Sequence, residues 1–180
     1  MPRITPIEPA AAAGKARQLL DAVHKKLGIT PNLMKTLAAS PAALEGYLSL
    51  NNALTGGVLD TKFREQIALA VAQANTCEYC LAAHTALGTL AGLQPADIAA
   101  SRDARASDAK RDAGLKFAKA VVTNRGQVSD ATVNTVRAAG FDDAEITEIV
   151  VNVAMNILTN YINHVAQTVV DFPAVETGVV

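Results

Sequence analysis

Residues 65–84, EQIALAVAQANTCEYCLAAH, contain both cysteines of the chain and one of its three histidines. At helical spacing the first half puts Glu65, Ala68, Leu69 and Ala72 on one face, and the second half puts Cys77, Cys80 and His84 on one face at intervals of three and four. Asn75 and Thr76 lie between them, and both are poor helix-interior residues and good N-caps. The stretch therefore reads as helix, break, helix, with the break opening the cysteine helix and both sulfurs in its first turn. Elsewhere no sustained period-two alternation is bounded by turn signals, so the expected fold class is all-α, a helical bundle.

On the cysteine helix two thiols and an imidazole converge. Helical i,i+3 neighbours lie roughly 5–6 Å apart between Cβ atoms, slightly wider than a disulfide needs, so small adjustments in a first turn can close and reopen the bond. The positive end of the helix favours thiolates, and His84, one turn beyond Cys80, is placed to take its proton directly or through a water. Glu65 interrupts an apolar stripe, and such a carboxylate needs a partner. Side-by-side packing of the two helices lets it reach His84 and hold the ring's tautomer and charge. Cys80, His84 and Glu65 then stand as nucleophile, base and orienting acid.

Other readings of C-x-x-C stay open at this level. A zinc site would draw on Cys77, Cys80, His84 and His164, although three ligands within two turns of one helix converge from one side only. Incidental buried thiols would leave Glu65 and His84 unexplained.

With 180 residues the chain suits one domain, residues 1–180, whose redox core is residues 60–92. Half of the residues are hydrophobic but only 4% are aromatic and none is Trp, so the core must be built from Ala, Leu, Val and Ile in close-packed helices. A net charge of −1 gives no basic footprint for nucleic acid or an anionic membrane. The N-terminus lacks a continuous apolar leader, and the most apolar run, ITEIVVNVAMNIL, is too short for a membrane span and is interrupted by Glu and Asn. A cytoplasmic chain is expected, in which two cysteines stay reduced by default and serve as a catalytic or sensing dithiol. There is no glycine-rich dinucleotide fingerprint or flavin signature, so no cofactor is expected and electrons must come from a separate protein or small dithiol.

Residues 1–9, with three prolines, read as an extended arm free to wrap a neighbour. A helix over about 10–27 ends at Gly28, with His24 on its surface. Thr30-Pro31 and Ser40-Pro41 repeat a capping hydroxyl followed by proline, predicting helices at 31–39 and 41–55. Asp60 caps the Glu65 helix and Gly92 ends the cysteine helix. Short helices follow near 95–101 and after Ser129, with a longer one over 108–124 between them. Asp142 and Glu145 form a capping box that starts a final helix running to about Asp171. On that helix Asn156, Asn160, Asn163 and His164 share a face amid Val, Ile and Met, either as a polar seam or as lining of the redox pocket. An eighty-residue shift sets Glu145, Asn160 and His164 opposite Glu65, Cys80 and His84, a faint internal repeat.

Glu65, twelve residues to Cys77, C-x-x-C, then four residues to His84: this order resembles the alkyl hydroperoxidase D group of the carboxymuconolactone decarboxylase-like superfamily. GITPNLMKTLAASP before it and AAGFDDAEITEIVVNVAMNILTNYINHVAQTVVDFP after it resemble the peroxidase-related branch, so the likeness covers nearly the whole chain. The resemblance implies that Cys80 is the thiol attacked by peroxide, Cys77 the proton donor and resolving thiol, and Glu65 with His84 the proton relay. It implies two related helical halves, and a hydroperoxide substrate with an external thiol, lipoyl-type or thioredoxin-like reductant. It also implies a symmetric homo-oligomer, trimer or hexamer, which agrees with the apolar surface that Ala-rich helices and an apolar final helix leave over. Where well-known members carry a histidine before the second cysteine this chain has Tyr79, a pocket candidate beside Asn160 and His164. Lactone decarboxylation is the superfamily's other activity, though its decarboxylases lack the C-x-x-C. A non-enzymatic redox sensor or adaptor is a further alternative.

Overall fold

The computed structural model describes residues 1–175, so the expected domain end at Val180 lies outside the described residues. Those residues form α1 (Gly14–Leu27), α2 (Asn32–Leu37), α3 (Pro41–Thr55), α4 (Thr61–Ala74), α5 (Glu78–Leu90), α6 (Pro95–Arg102), α7 (Ala109–Thr123), α8 (Asp130–Ala138) and α9 (Asp143–Ala166). No strand occurs among them, so the fold is all-α. None of these helices is long and apolar enough to cross a membrane.

The bundle is organised around α4. Phe63 and every residue from Gln66 to Ala72 are buried, and a helix apolar nearly all round needs partners on several sides. Leu69 and Ala72 pack with Leu20 and Val23 of α1, Leu33, Met34 and Leu37 of α2, Leu44 of α3 and Leu81 of α5. Phe63, Ile67, Ala70 and Val71 face a second cluster with Leu115, Phe117 and Val121 of α7, Val136 of α8, and Ile149 and Val153 of α9. Truncating a core leucine such as Leu69 to alanine should cost about 2–5 kcal/mol.

Most local start signals hold. Ser40 Oγ accepts from the Ala43 amide, Asp60 from Phe63, Ser129 from Thr132, and Asp142 with Glu145 closes a capping box. Three expectations about helix ends are corrected. Thr30 does not cap α2: Pro31 occupies the N-cap position, and the free Asn32 amide donates instead to Asp171 Oδ2 at 2.7 Å. The final helix stops at Ala166, because Gln167 turns left-handed (φ 51°) and the Thr168 amide bonds back to the Asn163 carbonyl. This early stop frees residues 168–175 to run across the bundle, which is how Asp171 reaches α2. The first helix begins at Gly14, after a separate 3-10 turn at Pro9–Ala11. The N-terminal arm lies on its own chain: Arg3 N–H donates to the Ala166 carbonyl and Ile7 N–H to that of Lys35.

The eighty-residue shift does not extend to the backbone of these stretches. Residues 65–84 are two helices and a turn, whereas 145–164 lie inside the single helix α9.

Candidate active site

The two-residue turn between α4 and α5 sets up the site. Asn75 is the C-cap of α4, Thr76 adopts a left-handed conformation (φ 51°), and the Cys77 amide donates to the Ala72 carbonyl at 2.9 Å. This is the wrapped C-terminal motif usually built on glycine. Cys77 itself is then the N-cap of α5, which corrects the expectation that Asn75 or Thr76 starts that helix. Cys80 sits one turn inside. The turn reverses the chain and lays α5 along α4, and Gly88 leaves room for Leu93 to fold back after α5: a Cβ there would lie 3.1 Å from Leu93 Cδ1.

Both sulfurs are buried and unbridged, at 1% and 2% exposure for Cys77 and Cys80. They differ in charge preference. The neighbouring Cys77 thiol is the largest cause holding the Cys80 thiol below its ordinary value; burial opposes it, and Asn163, Asn160 and Thr159 add to it. Cys77 is pushed up by the same pairing, by burial and by its charged neighbour. Asn163 Nδ2 donates to Cys80 Sγ at 3.2 Å from the buried face of α9.

His84 Nδ1 is 2.7 Å from Glu65 Oε2, and since a carboxylate only accepts, Nδ1 carries the proton. The pair is about four-fifths buried, with side-chain exposures of 20% and 18%. His84 makes no hydrogen bond to Cys80, and its Nε2 has no partner among the described residues. Cys80 thus has no direct bond to His84, and the groups that hold its thiol low include the Cys77 thiol and the α9 amides. Glu65 and His84 instead line a cavity of about 30 Å³ with Tyr47, Arg64, Asn156 and Thr159 among its other walls, room for about two water-sized groups. Burial pushes the Tyr47 hydroxyl up to about 12.

The remaining candidates fall in different places. Tyr79 points away from the sulfurs: its hydroxyl accepts from the Leu33 amide at 3.1 Å and its ring meets Phe172 edge-on, so it is a packing residue beneath the site. His164 is exposed, with Nε2 2.9 Å from the Asn75 carbonyl, where it clips the α4–α5 turn to α9. Asn160 is fully buried and its Oδ1 accepts from Asn75 Nδ2 at 2.8 Å. The α9 face is thus both a seam and a wall of the sulfur pocket, with Asn163 its closest approach to Cys80. The signal that marks Asn163 in the sequence is an amide at helical spacing on an apolar stripe, which by itself does not say what the amide faces. Among the described residues no group of three or more His, Cys, Asp or Glu is arranged to hold a metal ion.

Residues 41–122, which include the turn and both sulfurs, match the model of the carboxymuconolactone decarboxylase family. No curated protein sequence matches the chain. Among solved structures, the alkylhydroperoxidase AhpD core protein of Ralstonia eutropha JMP134, an uncharacterized peroxidase-related protein, aligns with a TM-score of 0.84 at 27% identity, over 94% of this chain and 92% of its own. An uncharacterized peroxidase-related protein of Silicibacter sp. TM1040 gives 0.79 at 24% identity, over 93% and 92%. The debrominase Bmp8, in complex with 2,3,4-tribromopyrrole, gives 0.80 at 18% identity, over 94% and 91%. The last two likenesses show a shared fold.

Proposed function

We propose that the chain is a thiol-dependent peroxidase of small hydroperoxides, a reading supported by its likeness to the carboxymuconolactone decarboxylase family over residues 41–122 and to the alkylhydroperoxidase AhpD core protein. The observation that carries this reading is the buried, unbridged Cys77–Cys80 pair, with Asn163 Nδ2 donating to Cys80 Sγ at 3.2 Å. The Cys80 thiolate attacks one peroxide oxygen. An S–O bond forms, the O–O bond breaks, sulfur is oxidised by two electrons to a sulfenic acid, and the alkoxide leaves as an alcohol after taking a proton. Cys77 and the Glu65–His84 pair are the nearest proton sources. Cys77 sulfur then attacks the sulfenic sulfur, forming the disulfide and releasing water. An external dithiol of lipoyl or thioredoxin type reduces the disulfide by two exchange steps and is itself oxidised. We place the cycle in the cytoplasm, where such reductants keep thiols reduced.

A second reading, a decarboxylase-like lyase, is favoured by one observation. The Arg64 guanidinium lines the same cavity with only long bonds, 3.4 Å each, to Asn152 and Thr55, and has no carboxylate partner among the described residues. In that chemistry Arg64 holds a substrate carboxylate and His84 moves a proton.

The test is a thiol count before and after one equivalent of an organic hydroperoxide, followed by dihydrolipoamide or thioredoxin. Loss of two thiols and their recovery is the expected result. Thiols untouched by peroxide, in a protein that cleaves a lactone carboxylate after both cysteines become alanine, would replace this reading with the lyase.

A further inference from the structure

Two buried polar atoms near Cys80 have no partner among the described residues: Asn160 Nδ2, a donor, and Asn163 Oδ1, an acceptor. Buried amide atoms are satisfied in the great majority of cases, so two orphans of opposite kind in one place call for an explanation. Neither amide is free to turn away. Asn163 is held by its Nδ2 bond to Cys80 Sγ, and Asn160 by the bond its Oδ1 accepts from Asn75. The residues themselves are 5% and 0% exposed. Asn160 is close enough to favour an ionised Cys80, yet it makes no aligned bond to the sulfur.

A hydroperoxyl group is the matching ligand, since its oxygens accept and its terminal O–H donates. We propose that Asn160 and Asn163 form the subsite for the –OOH group of the substrate, Asn160 Nδ2 donating to a peroxide oxygen and Asn163 Oδ1 accepting the peroxide proton. This rests on the peroxidase reading. Thr159, next to Asn160 on α9, lines the small cavity beside Glu65 and His84, which places the nearest opening one residue from the subsite. Once the S–O bond forms, the same donor and acceptor suit the sulfenic acid. The hydrogen bond to the peroxide oxygen would also strengthen as charge builds on the leaving oxygen, so the subsite acts in the transition state as well as in binding.

The titratable groups around the sulfur are Cys77 at the N-cap of α5, Tyr79 and His84 from α5, Glu65 from α4 and Tyr47 from α3, while α9 offers neutral amides and a hydroxyl at the sulfur. A test must therefore separate the charge on Cys80 from the handling of peroxide. Two reactions of Cys80 are compared on the high-pH plateau of each protein's own alkylation profile, where the thiolate is complete: alkylation by iodoacetamide, and oxidation by hydrogen peroxide or an alkyl hydroperoxide, trapped as the sulfenic acid in a Cys77→Ala background. Asn160→Leu and Asn163→Leu should leave alkylation within about twofold of the parent and slow oxidation by about 10–100-fold, the loss of one strong hydrogen bond. Asn160→Ser and Asn163→Ser, smaller and still polar, give the same ratio if a leucine variant does not keep the helical spectrum. Equal slowing of both reactions, or none, overturns the subsite. A parent protein that is alkylated but never oxidised would instead remove the peroxidase reading, a result distinct from an oxidised parent whose variants keep its rate ratio.

Discussion

Glu65 Oε2 and His84 Nδ1 lie 2.7 Å apart and tie α4 to α5, while His84 makes no hydrogen bond to the sulfur one turn away from it on the same helix. The carboxylate–imidazole pair lines the cavity, and in the proposed cycle it supplies protons there without setting the charge on Cys80. Glu65→Gln should leave the pH midpoint of Cys80 alkylation nearly unchanged but slow peroxide turnover by about 10²-fold, the usual size of a general acid–base contribution. Alkylation profiles beside turnover rates check this. A large upward shift of the midpoint would mean that His84 does act on the thiol.

The thiol pair has its own signature. The Cys80 thiol is held low chiefly by the Cys77 thiol, so its alkylation should saturate below the ordinary thiol midpoint of about 8.5, being slow where the thiol is protonated at lower pH and reaching a plateau above. Cys77→Ala removes that thiol and moves the midpoint up, whereas Cys77→Ser keeps an O–H donor and moves it less. After peroxide, Cys77→Ser should hold one trapped sulfenic acid on Cys80, while Cys80→Ser should consume none. A sulfenic acid on Cys77 in the active Cys80→Ser protein, seen by mass spectrometry, would reverse the roles.

Thr76 carries strain next to the site. A β-branched residue at φ 51° is disfavoured by about 1–2 kcal/mol. Thr76→Gly should raise stability by about 1 kcal/mol, less than the full strain because glycine also loosens the unfolded chain. Thermal unfolding would then rise by about 2–4 °C. A lower transition would show that the threonine hydroxyl, which donates to the Asn75 carbonyl at 2.7 Å, outweighs the backbone penalty.

The outer face of α9 supports the proposed homo-oligomer. Val150, Leu158, Tyr161 and Val165 are exposed apolar residues at helical spacing, opposite the buried asparagines. A continuous apolar stripe of this kind marks an association surface. Leu158→Glu should turn a trimer or hexamer into a monomer in light scattering, with the helical spectrum kept. An unchanged mass would place the interface elsewhere.

The sequence by itself determined the features that depend on a few neighbouring residues. Helix starts at Ser40, Asp60, Ser129 and Asp142 were legible because a cap is a bond across three residues. The meeting of Glu65 and His84 was legible because a short break folds one helix back along the other. Only the tertiary structure decided what joins residues far apart in the chain. Asp171 caps α2 across 139 positions, and the early end of α9 follows from a local turn that leaves that segment free to cross the bundle. Tyr79, beside a cysteine in sequence, turns to the Leu33 amide instead of the sulfurs. Asn163 reaches Cys80 across 83 positions. Helical periodicity says which residues share a face, but the element that face meets depends on how all the buried surfaces pack together. For this reason spacing could find the thiols and the row of amides on the final helix, while packing decided that Asn163 of that row meets the Cys80 sulfur.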